Sequence, residues 1–215
     1  MSNLPLPLVL LFISLACFGY NPEYFKETSV KAEEGDTKAQ FVMGLMYKAG
    51  AGVEKNSTEA VKWFRKAAEQ GFANAQYYLG DAYDIGDGVP EDDVEAVKWF
   101  RKAAEQGHPI SQFNLGVSYA KGEGAPEDDA EAVKWYLKAA EQGYANAQLN
   151  LGNMYYNGHG VPQDFVYAYK WLNLAAAQGN DDASHNKEII VKKMTKEQIA
   201  EAQKLSREWL AKHSK

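Results

Sequence analysis

Cysteine is almost missing from this chain: one residue, Cys17, in 215. A lone thiol cannot close a disulfide within the chain, so a disulfide framework and a cysteine-rich metal site are both excluded. Histidine is nearly as scarce. His108, His159, His185 and His213 stand at unrelated positions without ligand spacing, so no metal site is expected. Basic charge is also short. A net charge of −6 provides no field to attract phosphates, and nucleic acid is not expected as a partner. No Ser/His/Asp set, paired carboxylates or cofactor motif is legible, so neither catalysis nor a cofactor is expected.

Long apolar runs are lacking as well. The most apolar stretch, Leu8 to Leu15, is broken only by Ser14 and is too short to span a bilayer comfortably, so no transmembrane helix is expected. The first 22 residues carry no charged side chain. The run suits the apolar region of a secretory signal peptide, assigned here to 1–19, although no Lys or Arg precedes it. Ser14-Leu15-Ala16-Cys17 also approximates a lipoprotein box, which would make Cys17 a lipid anchor. A secreted or periplasmic location is therefore expected, with the cytoplasm as the alternative.

What the chain has in abundance is repetition, which decides architecture before anything else. Gln40, Gln76, Gln112 and Gln148 recur at a step of 36 residues. So do Gly44, Gly80, Gly116 and Gly152, the tyrosines at 47, 83, 119 and 155, and the tryptophans at 63, 99, 135 and 171. Four units follow, at 36–71, 72–107, 108–143 and 144–179. Residues 20–35 align with the second half of a unit and read as an N-terminal capping helix. Residues 180–215 read as a degenerate half-repeat and a C-terminal capping helix.

Each unit reads as two helices. In the first, Ala39, Met43, Met46 and Tyr47 fall at helical spacing. Its glycine costs about 1 kcal/mol relative to alanine in a helix interior, so its recurrence predicts a close helix–helix approach. A Gly-x-Gly pair then supplies positive φ angles at the helix end; a phosphate-binding loop would need a preceding strand. Asn56, Asp92, Asp128 and Asp164 read as N-caps of the second helix. In the first three units a Glu three residues on completes a capping box; in the fourth, Tyr167 leaves the box incomplete. Ala60, Trp63, Phe64 and Ala67 form a buried side, while Glu59, Lys62, Lys66 and Glu69 can pair opposite. At the far end, Thr195-Lys196-Glu197-Gln198 reads as a capping box opening a helix with Ile199, Ala202, Leu205 and Trp209 on one face.

Together, Ala-Gln-x-x-x-Gly-x-x-Tyr, Gly-x-Gly-Val-Pro, Ala-x-x-Trp and Ala-Ala-x-Gln-Gly resemble the Sel-one-like repeat family, relatives of the tetratricopeptide repeats. The resemblance covers about Lys38 to Gly179. It implies an all-α, right-handed solenoid and a bacterial adaptor that binds proteins, here expected as a monomer. One branch of the family is disulfide-rich and linked with β-lactam hydrolysis. This chain departs from it, with no cysteine in its repeats and no Ser-x-x-Lys motif read at a helix start. A structural part in envelope polysaccharide export is the other alternative.

A partner would be held where the repeats vary. Positions i, i+4, i+7 and i+11 of each first helix share one stripe. In order it reads Lys38, Val42, Leu45, Ala49; Asn74, Tyr78, Asp81, Ile85; Ile110, Asn114, Val117, Lys121; Asn146, Asn150, Asn153, Asn157. Ten of these are expected to bind a partner on a concave face: Val42, Leu45, Tyr78, Asp81, Asn114, Val117, Lys121, Asn150, Asn153 and Asn157. Tyr78 is read as an aromatic anchor, and the asparagines as donors and acceptors for an extended peptide.

Overall fold

The computed structural model describes residues 22–213. The expected signal peptide, its cleavage point and the lipid anchor at Cys17 lie outside them. The described residues form eleven helices and no strand: α1 (Pro22–Glu33), α2 (Thr37–Ala49), α3 (Ser57–Glu69), α4 (Ala73–Ile85), α5 (Asp93–Glu105), α6 (Pro109–Lys121), α7 (Asp129–Glu141), α8 (Ala145–Asn157), α9 (Phe165–Ala176), α10 (Asp181–Val191) and α11 (Lys196–His213). The contacts separate two compact units, divided between Ala103 and Ala104 within α5.

The first unit is centred on Phe41, Phe64, Tyr78, Leu79 and Trp99, with Met43, Met46 and Trp63 buried beside α1. In the second unit, Tyr136, Leu151, Trp171 and Leu174 form one core, and Tyr169, Leu172, Ile190 and Ala202 another. All four repeat tryptophans are buried, as their place among the apolar positions predicts.

The mid-helix glycines lie where the two helices of a pair meet. A Cβ on Gly80 would stand 2.7 Å from the Phe100 ring, and one on Gly116 would stand 2.6 Å from Tyr136. On Gly152 it would meet Leu172 at 2.7 Å. Carbon atoms in ordinary contact are about 3.5–4.0 Å apart, so only glycine lets the second helix set its large side chain directly on the first. The Gly-x-Gly pairs have positive φ, and the first of each ends its helix as a left-handed cap, as in Gly50 at φ 72°. The second glycine has a further reason to lack a side chain: Gly88 lies on the backbone of Ser57, and Gly160 on that of Asp129.

The N-caps hold but the boxes do not close as expected. Asn56, Asp92 and Asp128 accept from the backbone N–H three residues on, at 3.0–3.1 Å. Their own N–H groups donate to Tyr47, Tyr83 and Tyr119 carbonyls at 2.9 Å. The glutamates therefore have no cap N–H to accept and pair with a lysine one turn on, as Glu59 does with Lys62 at 2.6 Å. Asp164 donates its N–H to Tyr155 in the same way, so the fourth unit loses nothing by having Tyr167. The next lysine lies over the tryptophan rather than pairing with glutamate: Lys66 Nζ is 3.9 Å from the Trp63 ring centre. At the C-terminal end the box is complete, with Thr195 and Gln198 each bonding the other's backbone N–H.

The recurring glutamine is a buried connector. Gln40 donates to the Ala32 carbonyl, Gln76 to Ala68, Gln112 to Ala104 and Gln148 to Ala140, all at 3.0–3.1 Å. Each thereby ties a first helix to the end of the preceding second helix. The glutamine of Ala-Ala-x-Gln-Gly completes the network: Gln70 donates to Gln40, Gln142 to Gln112 and Gln178 to Gln148. A buried amide has to find such partners, which is why both glutamines recur with the helices they join.

Candidate functional site

The first helices carry the variable stripe, and the structure divides its residues into three groups. Leu45 and Tyr78 are core, correcting their reading as surface contacts. Leu45 is 1% exposed, and Tyr78 is 7% exposed with its ring stacked 5.0 Å from Phe64 and close to Phe41. Tyr78 fails as an anchor because its ring is long enough to reach back between α2 and α3. Burial in this apolar surround pushes its hydroxyl up to about 12, with the Asp81 carboxylate adding to the rise.

A second group is half-open but already engaged. Val42 packs against the α1–α2 core, and Val117 against the core of the second unit. Asp81 accepts from Lys48 at 3.4 Å, the same ammonium that pairs with Asp87 at 3.5 Å. The Tyr136 hydroxyl bonds the Asn150 side chain, and Asn180 donates to Asn146, which is exposed. Asn114 is half-buried.

The third group lies at open surface or at the edge of a cavity. Lys121 is exposed beside Glu123. Asn153 and Asn157, one turn apart on α8, face a cavity of ≈ 260 Å³ whose far wall is Asn186, Ile189 and Ile190 of α10, with Tyr156 beside them. Two stripe asparagines thus converge with residues of the degenerate half-repeat, to which the periodic reading assigned no contacts. Asn186 donates to Asn153 at 2.9 Å across the gap. Lys193, just past the end of α10, donates to the Tyr156 hydroxyl at 2.6 Å and brings the charge to this rim. The sequence signal for Asn186 exists: it stands 36 residues after Asn150, on the stripe of a fifth, incomplete unit.

A Ser-x-x-Lys sequence does occur near the start of α10, Ser184-His185-Asn186-Lys187, running from the end of its first turn through the second. Its members do not meet. Ser184 donates to the Asn180 carbonyl at 3.2 Å, as serines inside a helix do, and Lys187 donates to Asn173 at 3.3 Å. A serine nucleophile needs its base within hydrogen-bond reach. His108 is structural too: its Nδ1 accepts from the Ser111 N–H and caps α6, and burial lowers its pKa to about 4. Among the described residues, no group of three or more His, Cys, Asp or Glu could hold a metal, and no helix is long and apolar enough to cross a membrane.

Repeated helix pairs, each closed by a glycine cap and tied to the next by buried glutamines, define an all-α repeat solenoid. The Sel1 repeat model matches four times in succession, at residues 37–72, 73–108, 109–144 and 145–180, and the chain belongs to the Sel1 repeat family. Among solved structures, a Sel1 repeat protein from Oxalobacter formigenes is 36% identical, with a TM-score of 0.76 over 83% of this chain and 73% of that one. A protective antigen present in uropathogenic Escherichia coli strains, displaying an SLR fold, is 34% identical with a TM-score of 0.58. That match covers 86% of this chain, which spans 48% of the antigen's length. A search of curated proteins finds no match. The fold is one commonly used as a protein-interaction scaffold.

Proposed function

We propose that this chain is a non-enzymatic adaptor that holds a peptide or protein partner on the variable stripe of its first helices. The observation that supports it is the division of that stripe. Where the repeat needs a residue for stacking, the position is buried; where it does not, polar side chains line an open cavity between α8 and α10. Asn114, Lys121, Asn153 and Asn157 are the contacts, with Asp81, Val117 and Val42 at the edge and Asn150 supporting from behind. Amides at helical spacing offer both donors and acceptors without a fixed charge, which suits a polypeptide main chain.

The adaptor is proposed to work in the bacterial envelope or outside the cell. The uncharged 22-residue start, with its apolar run before Cys17, supports export. The mass of the chain recovered from each cell fraction tests this: an unprocessed chain in the cytoplasm would refute it.

Partner capture tests the binding surface. The wild-type chain and a variant with alanine at Asn114, Lys121, Asn153 and Asn157 are used as baits under the same conditions. The wild type is expected to retain a partner that the variant releases, while the variant still melts cooperatively with a Tm a few degrees lower, because the Asn153–Asn186 bond is lost. Equal capture by both chains places binding elsewhere.

A further inference from the structure

The α8–α10 cavity has a feature that the stripe alone does not supply, and its chemistry narrows the occupant; this inference rests on the peptide-binding reading above. Asn186 and Asn153 bond one another through their side-chain amides at 2.9 Å. A carboxamide has one oxygen acceptor and one NH2 donor group. In a pair joined by one bond, one partner has used its oxygen and the other a hydrogen of its NH2. Whichever amide donates, the pair still offers a donor group from one asparagine and an acceptor from the other. That is the complement of a peptide group, which presents one C=O and one N–H. The bond also fixes both side chains in advance, so less rotamer freedom is lost when a ligand arrives.

Two further walls add chemistry. Ile189, 36% exposed, and the buried Ile190 give the cavity an apolar flank large enough for an aliphatic side chain. On the Tyr156 side, Lys193 donates to the phenol oxygen at 2.6 Å and lies 4.8 Å from the ring centre. An ammonium has three donors, so two remain for an anion. Donor, acceptor and apolar wall thus line one opening between α8 and α10, and the cation stands behind its Tyr156 edge.

We propose that this cavity is a subsite for an extended peptide carrying an aliphatic side chain next to a carboxylate. The Asn153–Asn186 pair clamps one main-chain peptide group, the isoleucines take the aliphatic side chain, and Lys193 takes the carboxylate. A free chain terminus and an acidic side chain both supply that carboxylate, and the assay separates them.

The test uses the whole chain and fluorescently labelled peptides read by anisotropy. The probes are Ala-Ala-Val-Leu with a free terminus, the same peptide as its C-terminal amide, and amidated Ala-Ala-Leu-Asp-Ala. Binding of the free acid and not its amide identifies a chain terminus as the carboxylate; binding of the Asp peptide identifies a side chain. The decisive variant is Asn153→Asp. Asp can still accept from Asn186, so the local structure is kept, but the pair then turns two acceptors outward and repels the peptide carbonyl. Affinity is expected to fall about tenfold or more, the loss of one to two hydrogen bonds. Lys193→Met should abolish the preference for the carboxylate-bearing peptide while leaving residual binding. Binding unchanged in Asn153→Asp overturns the clamp, and so does failure of all three peptides with the wild type. Either failure leaves the broader adaptor reading to be judged by partner capture, where the Asn114 and Lys121 contacts lie outside this cavity.

Discussion

Replacing Gly116 by alanine sets two opposed energies against each other, and the structure decides between them. In an open helix the change is favourable by about 1 kcal/mol, because glycine has the larger conformational freedom to lose. Here the new Cβ would lie 2.6 Å and 2.7 Å from two ring carbons of Tyr136. Relief to ordinary contact requires a shift of about 1 Å in the ring or in α7. The ring is poorly placed to give way: it is 2% exposed, lies 5.9 Å from the Phe113 ring, and its hydroxyl bonds Asn150. Overpacking of this kind costs about 1–3 kcal/mol, leaving a net loss of up to about 2 kcal/mol once the propensity gain is subtracted. For a chain of this size that lowers Tm by up to about 8 °C, readable by calorimetry or helical circular dichroism. Tyr136→Ala in the same chain opens room for the methyl group; leucine would not, since Leu172 stands as close to Gly152 in the fourth unit. The double variant should therefore be more stable than the sum of the single changes by about 1 kcal/mol. A rise in Tm for Gly116→Ala alone would refute the reasoning, since the glycine would then be a simple propensity defect that the ring can accommodate.

Gln148→Met keeps the volume of a fully buried side chain but removes its bonds to Ala140 and from Gln178, and should cost about 2 kcal/mol. Gln178→Ala keeps the inner bond to Ala140, so urea melts should find it the milder change; equal losses would mean that the inner bond adds nothing. Tyr78→Ala should lower stability by about 3–5 kcal/mol, as for other buried rings, and a melting curve equal to wild type would restore Tyr78 to the surface. For His108, burial depresses the folded pKa to about 4 from an ordinary 6.5. As pH falls, the unfolded chain takes up the proton first, so its contribution is complete above 6.5, declines between 6.5 and 4, and levels off below. The full decline is about 3 kcal/mol, and His108→Asn, a cap that does not titrate, should show a correspondingly flatter acid limb in urea melts at pH 7, 5.5 and 4.5. Identical pH slopes for the two chains would sink this assignment.

The sequence by itself determined the unit, the number of units and the helix ends. A 36-residue step, a left-handed glycine at each first-helix terminus and an Asn or Asp accepting from the third residue on are all local, formed within one or two turns of the chain. The mid-helix glycine was legible for a related reason: a residue unfavourable in its own helix must be repaid by a neighbour. Partners, by contrast, came only with tertiary structure. The N–H of each second-helix cap goes to a tyrosine carbonyl nine residues back, and the recurring glutamines join helices that only packing brings together. Ser184 and Lys187 have the spacing of a reactive pair but turn to different neighbours. The stripe illustrates the division most directly. Helical period placed Tyr78 and Asn150 at equivalent positions on one face, yet the tyrosine ring reaches into the core and the shorter amide stops half-way. The cavity at Asn153 forms only because α10 lands beside α8, some thirty residues later, with Asn186 at bonding distance. Periodicity decides which side of a helix a residue occupies; burial depends on how far the side chain reaches and on which helix meets it there.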